Sequence, residues 1–417
     1  MFRIAIIGGG LGGLFTALAI KHHCPTQAIE IDVYEQAPQY SEIGAGVGIG
    51  PNAAVLIEKL GLMKDALEIA GKRENIWLSF LRYDTGAGIA TVNIPDTGNT
   101  TQLPMHRAEF LDLLVRAVQK RRAATLHTNM RCQTMLVTFT NGETRSANLV
   151  IGADGIHSVV RSHYVQDDAQ YGDMVVYRGL CPIADIQQDW PHPTYATLSV
   201  APGKHFLTFP ISNNKILNVV GFVTTPWEEV EKGNTKESWT LTADKDVIRH
   251  EYKDFSPAVR NIIEKMNANP LKWILFDRRT PSQWVYSGGK VVLLGDAAHA
   301  MCPHQGAGAG QALEDGYILG RSLRDYFDAA ERETFKYTIE DALSLYNSIR
   351  YPRSEKVQAT SRQAGDLYEM KAPELAGLSY DEALPVVEKL LKNRMQWIWT
   401  EDIDAVYDAA RQKSSRL

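Results

Sequence analysis

The chain opens, after Met1, with the apolar run Phe2-Arg3-Ile4-Ala5-Ile6-Ile7, and Gly8-Gly9-Gly10-Leu11-Gly12-Gly13 follows it directly. The apolar run is typical of a buried β-strand, and residues 11–23 carry apolar side chains at helical spacing. A second strand-like run covers Ala28–Tyr34. A strand, a glycine turn, a helix and a second strand make the βαβ unit of a parallel sheet, so we predict a Rossmann-like domain that starts at residue 2.

Three of these glycines, Gly8, Gly10 and Gly13, have the GxGxxG spacing of dinucleotide-binding sites. The first permits a tight turn, the second lets a pyrophosphate approach the backbone, and the third lets helix and strand pack closely. The helix N-terminus supplies free N–H groups and partial positive charge to the phosphates. Glu35 ends the second strand, where its carboxylate can accept hydrogen bonds from a ribose. The alternative is a glycine-rich turn in an ordinary βαβ unit.

Two later stretches have the same strand-to-turn-to-helix pattern. The first, Gly152-Ala153-Asp154-Gly155, follows the apolar run Leu149-Val150-Ile151. Taken alone, Asp154-Gly155 is also typical of a simple turn. The second follows Lys290–Leu294 and consists of Gly295-Asp296-Ala297-Ala298-His299-Ala300, then Pro303, then Gly306-Ala307-Gly308-Ala309-Gly310.

The third stretch suits a flavin. Asp296, at the tip of a strand, can accept a hydrogen bond from a ribityl hydroxyl, and the glycines have no Cβ atoms to hold a planar ring away. The N-terminus of the following helix stabilises the negative charge of a reduced flavin. We therefore predict that the three stretches converge on one flavin dinucleotide.

Composition excludes several other classes of protein. The 417 residues are 44% hydrophobic and 22% charged, with a net charge of -5, which predicts two or three globular domains and no nucleic-acid partner. No apolar run reaches the ~20 residues that a membrane span needs, so no membrane partner is expected. The four cysteines form no CxxC, so we expect neither a disulfide scaffold nor a metal site, and we expect a reducing, cytoplasmic location.

Together the three motifs resemble those of single-component FAD-dependent aromatic hydroxylases with the para-hydroxybenzoate hydroxylase fold, and within that family they are most similar to salicylate hydroxylases. They occur in the family's order. Further similar stretches are Gly44–Asn52, Met105–Leu111 and Val176–Gly179. The resemblance implies FAD as cofactor, NADH or NADPH as a transient co-substrate, and dioxygen.

The resemblance, with the strand patterns, predicts an α/β fold in which a discontinuous Rossmann-like FAD-binding domain is interrupted by a β-rich substrate domain. Residues 75–94 and 171–223 alternate apolar and polar side chains, as in antiparallel sheet with one face covered. We place the FAD-binding domain at residues 1–74, 100–170 and 285–345. The substrate domain then covers 75–99 and 171–284, and a helical C-terminal region covers 346–417.

The resemblance also assigns cofactor contacts. It implies that Glu35 binds the adenosine ribose, that Arg107 approaches the ribityl or phosphate part, and that Asp154 lies near the pyrophosphate. Asp296 would hold the ribityl chain. The residues that would line the isoalloxazine ring are Pro303, Gly306, Gly308 and Ala309. Gly310 departs from the pattern, because many relatives have Asn there.

The implied chemistry is delivery of oxygen from a flavin C4a-hydroperoxide to an aromatic ring. Water must be excluded, and the phenol must lose its proton. A phenol of pKa near 10 is about three units from neutral pH, a cost of roughly 4 kcal/mol. A base or a cation has to supply much of it.

Four residues are candidates for this role. Arg178 is the first candidate for a cation near the substrate, with a salt bridge as the alternative. His299 and His304, on either side of Pro303, are candidates for the base or a substrate contact, with a structural histidine as the alternative. Arg82 is expected at a strand end facing the same pocket, or in a structural role. The aromatic residues expected either to line the pocket or to fill the sheet core are Trp77, Phe206 and Phe209.

The leading hypothesis is an FAD-dependent monooxygenase that hydroxylates a small phenolic acid, with conversion of salicylate to catechol and carbon dioxide as the first guess. The alternatives are a hydroxylase or dearomatase of a larger polyketide-derived phenol, an epoxidase, and a flavin-binding protein without turnover. The oligomeric state stays open, a homodimer included. Ser415-Arg416-Leu417 resembles the peroxisomal Ser-Lys-Leu address, which keeps a peroxisomal location open beside the cytoplasmic one.

Overall fold

A computed structural model describes residues 1–40, 46–71, 75–95, 102–134, 138–232, 240–331 and 337–414. The strands are Phe2–Ile7 (β1), Ile29–Tyr34 (β2), Gly46–Ile49 (β3), Ile76–Arg82 (β4), Gly88–Asn93 (β5), Leu103–His106 (β6), Thr125–His127 (β7), Cys132–Thr134 (β8), Thr138–Phe139 (β9), Leu149–Gly152 (β10), Gln170–Pro182 (β11), Thr197–Ala201 (β12), Lys204–Ile211 (β13), Ile216–Thr224 (β14), Thr240–Thr242 (β15), Leu271–Asp277 (β16), Val285–Tyr286 (β17) and Val291–Leu293 (β18).

The helices are Leu11–His23 (α1), Pro51–Lys59 (α2), Met63–Ile69 (α3), Arg107–Arg121 (α4), Val159–Ser162 (α5), Trp227–Lys232 (α6), Lys245–Glu251 (α7), Pro257–Lys265 (α8), Asp296–His299 (α9), Gly308–Glu331 (α10), Ile339–Tyr368 (α11), Tyr380–Leu391 (α12), Gln396–Trp399 (α13) and Ile403–Ser414 (α14). Among the helices so described, none is long and apolar enough to cross a membrane.

The strands of the described segments form two main sheets. The six-stranded sheet has the order β17-β18-β10-β1-β2-β7, and its strands are parallel except for β17. The eight-stranded sheet has the order β15-β16-β11-β14-β13-β12-β4-β5 and is antiparallel except where β12 meets β4. The predicted α/β fold, with a Rossmann-like unit, a second β-rich unit and a helical end, is confirmed.

The six-stranded sheet begins with the predicted βαβ unit. β1 and β2 are parallel neighbours, and the buried helix α1 connects them. Helix α1 packs closely on α10 because α10 has glycines where the two helices meet. A Cβ on Gly316 would lie 2.6 Å from the Thr16 hydroxyl, and one on Gly320 would lie 3.0 Å from the Ala19 backbone. These glycines bring the first and third motifs together.

The long helix α11 ties the two sheets to each other. Its first half, around Leu343 and Tyr346, belongs to the core of the six-stranded sheet. Its second half, around Val357 and Tyr368, packs under β4, β12 and β13 together with α12 and α13. The predicted C-terminal helical region is therefore a support shared by both sheets.

The predicted domain boundaries stay a prediction. The strands of the eight-stranded sheet come from residues 76–93 and 170–277, so β11 starts one residue before the predicted boundary at 171. The boundaries at 74 and 100, part of the Gly44–Asn52 stretch and the terminal Ser415-Arg416-Leu417 lie outside the described residues.

Candidate active site

The cavity that the three motifs surround has a volume of about 690 Å³ and lies between the two sheets. On one side it is lined by loops that follow the carboxyl ends of β1, β2, β10 and β18, the edge where parallel α/β sheets bind ligands. On the other side it is lined by the face of the eight-stranded sheet. The predicted cofactor residues that line it are Gly8, Gly10, Glu35, Arg107, Asp154, Asp296, Pro303, Gly306, Gly308 and Ala309.

The glycines of the first motif differ in what surrounds them. Gly8 has a φ of +109°, and a Cβ there would lie 2.2 Å from the Ala153 carbonyl oxygen. Gly13 does not line the cavity as the described residues bound it; a Cβ on it would lie 2.1 Å from the Gly8 carbonyl oxygen, so it permits close packing of helix and strand. A Cβ added to Gly10 would have no described atom within 4 Å apart from its chain neighbours, so the backbone there borders open space.

Two carboxylates among the loops of the six-stranded sheet accept hydrogen bonds from backbone N–H groups. Glu35 accepts hydrogen bonds from the Gly9 N–H at 2.9 Å and the Ala37 N–H at 2.8 Å. Asp154 lies before the N-cap residue Ser158 of α5 and accepts hydrogen bonds from the Ser158 hydroxyl and, at 2.8 Å, from the Val159 N–H. Burial raises the pKa of Asp154. Its predicted proximity to a pyrophosphate stays a prediction, and its clear local role is to hold the turn.

The Asp296 carboxylate, unlike those of Glu35 and Asp154, is exposed to the solvent. It follows Gly295, whose φ is +59°, and starts α9 with its side chain exposed. The Gly295 N–H donates to Asp315 Oδ2 at 2.8 Å, which fixes the turn from behind. Asp296 is thus directed away from the core, toward the cavity that it lines.

His299, a candidate for the base or a substrate contact with a structural histidine as the alternative, lies away from the cavity. His299 is fully buried, is absent from the described cavity lining, and its Nε2 lies 2.6 Å from Asp315 Oδ2. Arg350, from α11, donates to the other oxygen of Asp315 at 2.8 Å. Burial opposes ionisation of Asp315, but His299 and Arg350 lower its pKa to about 2. His299 has the structural role that the sequence left open.

The same buried cluster holds Glu314. This carboxylate accepts hydrogen bonds from Arg350, from Arg353 at 2.7 Å and from Asn52 at 2.6 Å. Sequence reasoning missed both arginines, because they lie on another helix. Their spacing of three residues on one helix, with Glu314-Asp315 as adjacent acids in the motif, is the only signal that the sequence offered.

His304 does line the cavity. Its ring packs against Phe222, with centroids 5.2 Å apart, and Nδ1 has no hydrogen-bond partner in the part of the chain that is described. Burial, and then the neighbouring His205, lower the pKa of His304 to about 3. The ring is therefore neutral at physiological pH.

Arg178 lies on β11 and faces the same cavity. Its guanidinium lies 4.9 Å from the centre of the Trp273 ring, and among the described residues its Nε has no hydrogen-bond partner and no carboxylate pairs with it. Burial, and then the charge of Arg107, lower the pKa of Arg178 to about 10, so it stays charged at neutral pH. The salt bridge that was the alternative is not found in the described residues.

The rest of the sheet face is apolar. Strand alternation directs Leu207 and Phe209 of β13 into the cavity and Phe206 away from it, into the core against Tyr252. Of the two alternatives left open for these aromatic residues, Phe206 therefore fills the sheet core, whereas Trp77 and Phe209 line the cavity. The other apolar residues on this face are Leu78, Leu198, Val220 and Phe222.

Arg82, a candidate for the pocket with a structural role as the alternative, also lies away from the cavity. Arg82 pairs with Asp84 at 2.9 Å and with Asp381 of α12, and it is absent from the cavity lining described here. Both partners reach it from the outer surface. Arg82 therefore links the sheet edge to the C-terminal helices.

The residues fit FAD on their own geometry. The Gly10 and Gly306 positions have no described atom within 4 Å of an added Cβ, so they leave open space beside the backbone as a dinucleotide requires. The fold and this cradle define a two-sheet dinucleotide-binding protein.

Comparison with known proteins agrees. Residues 1–359 match the FAD binding domain family, so the chain belongs to that family. A salicylate hydroxylase of Pseudomonas putida is 33% identical, over 99% of this chain and 95% of its own length. The 6-methylsalicylate 1-monooxygenase atA of Aspergillus terreus (strain NIH 2624 / FGSC A1156) is 32% identical, over 96% and 90%.

Solved structures show the same architecture. A salicylate hydroxylase substrate complex superposes with a TM-score of 0.79, 27% identity and 98% coverage of both chains. CtdE in complex with FAD and its substrate superposes with a TM-score of 0.80 at 20% identity, over 100% of this chain and 99% of that one. The protein is an FAD-dependent monooxygenase with the aromatic hydroxylase fold.

Proposed function

We propose that the protein hydroxylates a small phenolic acid with NADH or NADPH and dioxygen, and that salicylate is the first substrate to test. For salicylate, the reaction consumes one NAD(P)H, one dioxygen and two protons, and yields catechol, carbon dioxide, water and NAD(P)+. Bound FAD supplies the reduction of dioxygen and the transfer of one oxygen atom to the ring. The observation that carries the proposal is Arg178, a cation on a largely apolar sheet face that lines the cavity, with no carboxylate partner among the described residues.

Arg178 would bind the carboxylate of the acid, and in salicylate the phenol is ortho to that carboxylate, so the same guanidinium outweighs His304 as the group that helps the phenol to ionise. A guanidinium about 4 Å from a phenolate contributes about 4 kcal/mol at an effective dielectric constant of about 20, which is close to the need of a phenol at neutral pH. His304, with its pKa lowered to about 3, would accept a proton from a phenol against a gap of about seven units. We therefore assign it a neutral hydrogen-bonding role toward the substrate.

The apolar face has a second task. Leu198, Leu207 and Val220 cover the sheet side of the cavity with hydrocarbon. A dry surface excludes water from the reacting atoms and strengthens the field of the guanidinium. A single aromatic ring with one carboxylate matches this combination of apolar contact and one cation.

The test is NAD(P)H oxidation and oxygen uptake by the purified holoenzyme, with and without salicylate, together with quantification of catechol and carbon dioxide. We expect salicylate to stimulate both rates, with catechol formed in proportion. 6-Methylsalicylate serves as a second arm, because a relative carries that activity in its name. If no hydroxybenzoate stimulates either rate, the substrate assignment is wrong, and a larger phenol, an epoxidation or a flavoprotein without turnover has to be tested.

A further inference from the structure

The side chain of Asn218 is held in one orientation. It lies on β14, is 1% exposed, and its Oδ1 accepts a hydrogen bond from the Gly46 N–H at 2.7 Å. Only the oxygen of the amide can accept from an N–H, so the Nδ2 end is assigned by the bond itself. Strand β3 packs directly on the amide, since a Cβ on Gly46 would lie 2.8 Å from Asn218 Cγ.

The other end of this amide has no partner. Within the described residues, Asn218 Nδ2 is buried and makes no hydrogen bond, although Asn218 lines the cavity. A buried donor without an acceptor destabilises a protein, and native structures rarely keep one without a reason. A ligand oxygen in the cavity would satisfy it.

Asn218 shares its face of the sheet with Arg178. In the register of β11 and β14, Arg178 lies opposite Val220, and Asn218 lies two residues before Val220 on the same strand. Residues two apart on a strand point to one face, so the two side chains are diagonal neighbours. Long side chains reach across such a diagonal, and one carboxylate can therefore meet both donors.

The surroundings of the pair favour an anion. The described residues that the eight-stranded sheet contributes to the cavity include no carboxylate; those that line it are Trp77, Leu78, Arg178, Leu198, Leu207, Phe209, Asn218, Val220 and Phe222. The carboxylates of the lining, Glu35, Asp154 and Asp296, all come from the loops of the other sheet. An anionic group at the sheet face therefore meets the Arg178 cation and no carboxylate from the described residues of that face.

We propose that Asn218 is a specificity-determining residue: its Nδ2 donates a hydrogen bond to a carboxylate oxygen of the aromatic acid that Arg178 binds. The inference rests on the proposed function, because it concerns the acid group of that substrate. It adds a neutral donor that selects for the position of the carboxylate, where Arg178 selects for its charge.

The test compares Asn218→Asp with Asn267→Asp in the holoenzyme. In Asn218→Asp the acceptor for the Gly46 N–H and the shape remain, while the donor is lost and a negative charge faces the ligand. We expect the dissociation constant of salicylate, followed by the change in flavin absorbance, to rise about 100-fold. Binding of the neutral ligand phenol should change less than tenfold, and the FAD content should equal that of the parent protein.

Asn267 is a matched control. Its Oδ1 also accepts from a backbone N–H at 2.7 Å, that of Leu180, but its Nδ2 already donates to the Asn269 carbonyl and the residue is exposed. Asn267→Asp should leave salicylate binding unchanged. Asn218→Ala, which removes the amide donor without adding charge, should raise the dissociation constant about tenfold and supplies the test if the aspartate variant does not fold.

The outcomes separate the two ideas. If the parent protein binds salicylate and both Asn218 variants bind it equally well, the Asn218 proposal is wrong while the proposed function stands. If the Asn218 variants lose FAD and the Asn267 variant keeps it, the amide serves the cofactor and the proposal is overturned. If the parent protein binds neither salicylate nor any other hydroxybenzoate, the proposed function fails and the Asn218 proposal with it.

Discussion

The two walls of the cavity are built in different ways. One wall consists of loops at the ends of parallel strands, and there the backbone itself is the surface: Gly8, Gly10 and Gly306 keep side chains out. The other wall is the face of an antiparallel sheet, and there the surface is made of side chains, with Arg178 and Asn218 among hydrocarbon. A wall made of backbone depends on short contiguous motifs, whereas a wall made of side chains depends on pairing between distant strands.

The largest expected effect is a loss of FAD affinity when a side chain is added to the wall that is made of backbone. Gly10→Val should lower FAD affinity at least 100-fold, equivalent to about 2.7 kcal/mol, because its side chain would occupy space that the dinucleotide needs. The fold should survive, since no described atom lies within 4 Å of the added Cβ. The measurement is FAD titration of the apoprotein, with thermal unfolding as the check on folding.

Gly8→Ala is the contrasting variant. With a φ of +109° and only 2.2 Å to the Ala153 carbonyl oxygen, it should lower the stability of the apoprotein as well as FAD binding. If Gly10→Val binds FAD normally, the backbone wall does not hold the cofactor as we describe.

The next largest effect concerns the buried ionic cluster of Arg350, Glu314 and Asp315, which supports the glycine-lined wall of the cavity. Arg350→Met should lower the free energy of unfolding by about 3–5 kcal/mol, because Glu314 and Asp315 keep their buried charges without this partner. Arg249→Met is the control, since Arg249 pairs with Asp246 and Glu264 on the exposed surface, where water screens both ion pairs. This substitution should lower the free energy of unfolding far less than Arg350→Met does. Urea unfolding of both variants measures the difference; equal values would contradict a buried ionic support.

A smaller effect tests the second wall. Arg178→Met should weaken hydroxybenzoate binding by about 2 kcal/mol, or roughly 30-fold, because a charged hydrogen bond to the carboxylate is lost. FAD content should stay constant, and stability should not fall, since no described carboxylate depends on this guanidinium. Titration with salicylate and with neutral phenol measures it. If the affinities for salicylate and for phenol fall by the same factor, Arg178 does not discriminate between charged and neutral ligands.

The smallest effect lies outside both walls. Arg82→Ala should leave turnover unchanged and lower the free energy of unfolding by about 1 kcal/mol or less, because its ion pairs with Asp84 and Asp381 are reached by solvent. Steady-state kinetics and urea unfolding check both parts. A large loss of activity would show that Arg82 contributes to the active site, and it would contradict the position of Arg82 at the sheet edge.

Much of the first wall could be predicted because each of its parts is local. The placement of Glu35, Asp154 and Asp296 follows from where strands end, and the strands are apparent as apolar runs before glycine. The sequence offered no way to distinguish the two histidines near Pro303. His299 lies on α9 and contacts the buried Asp315, whereas His304 lines the cavity. Sequence spacing does not show which side of a short helix meets a buried acid.

The amino-acid sequence was enough to determine the dinucleotide site, the order of its motifs and the family, because backbone geometry at a glycine turn is set by neighbouring residues. Only the folded chain decided which face of each strand lines the cavity, that Phe206 and Arg82 point elsewhere, and that Arg178 and Asn218 are neighbours. The reason is physical: strand register and helix docking arise from contacts between residues far apart in the chain, and those contacts follow from burying the whole apolar surface at once.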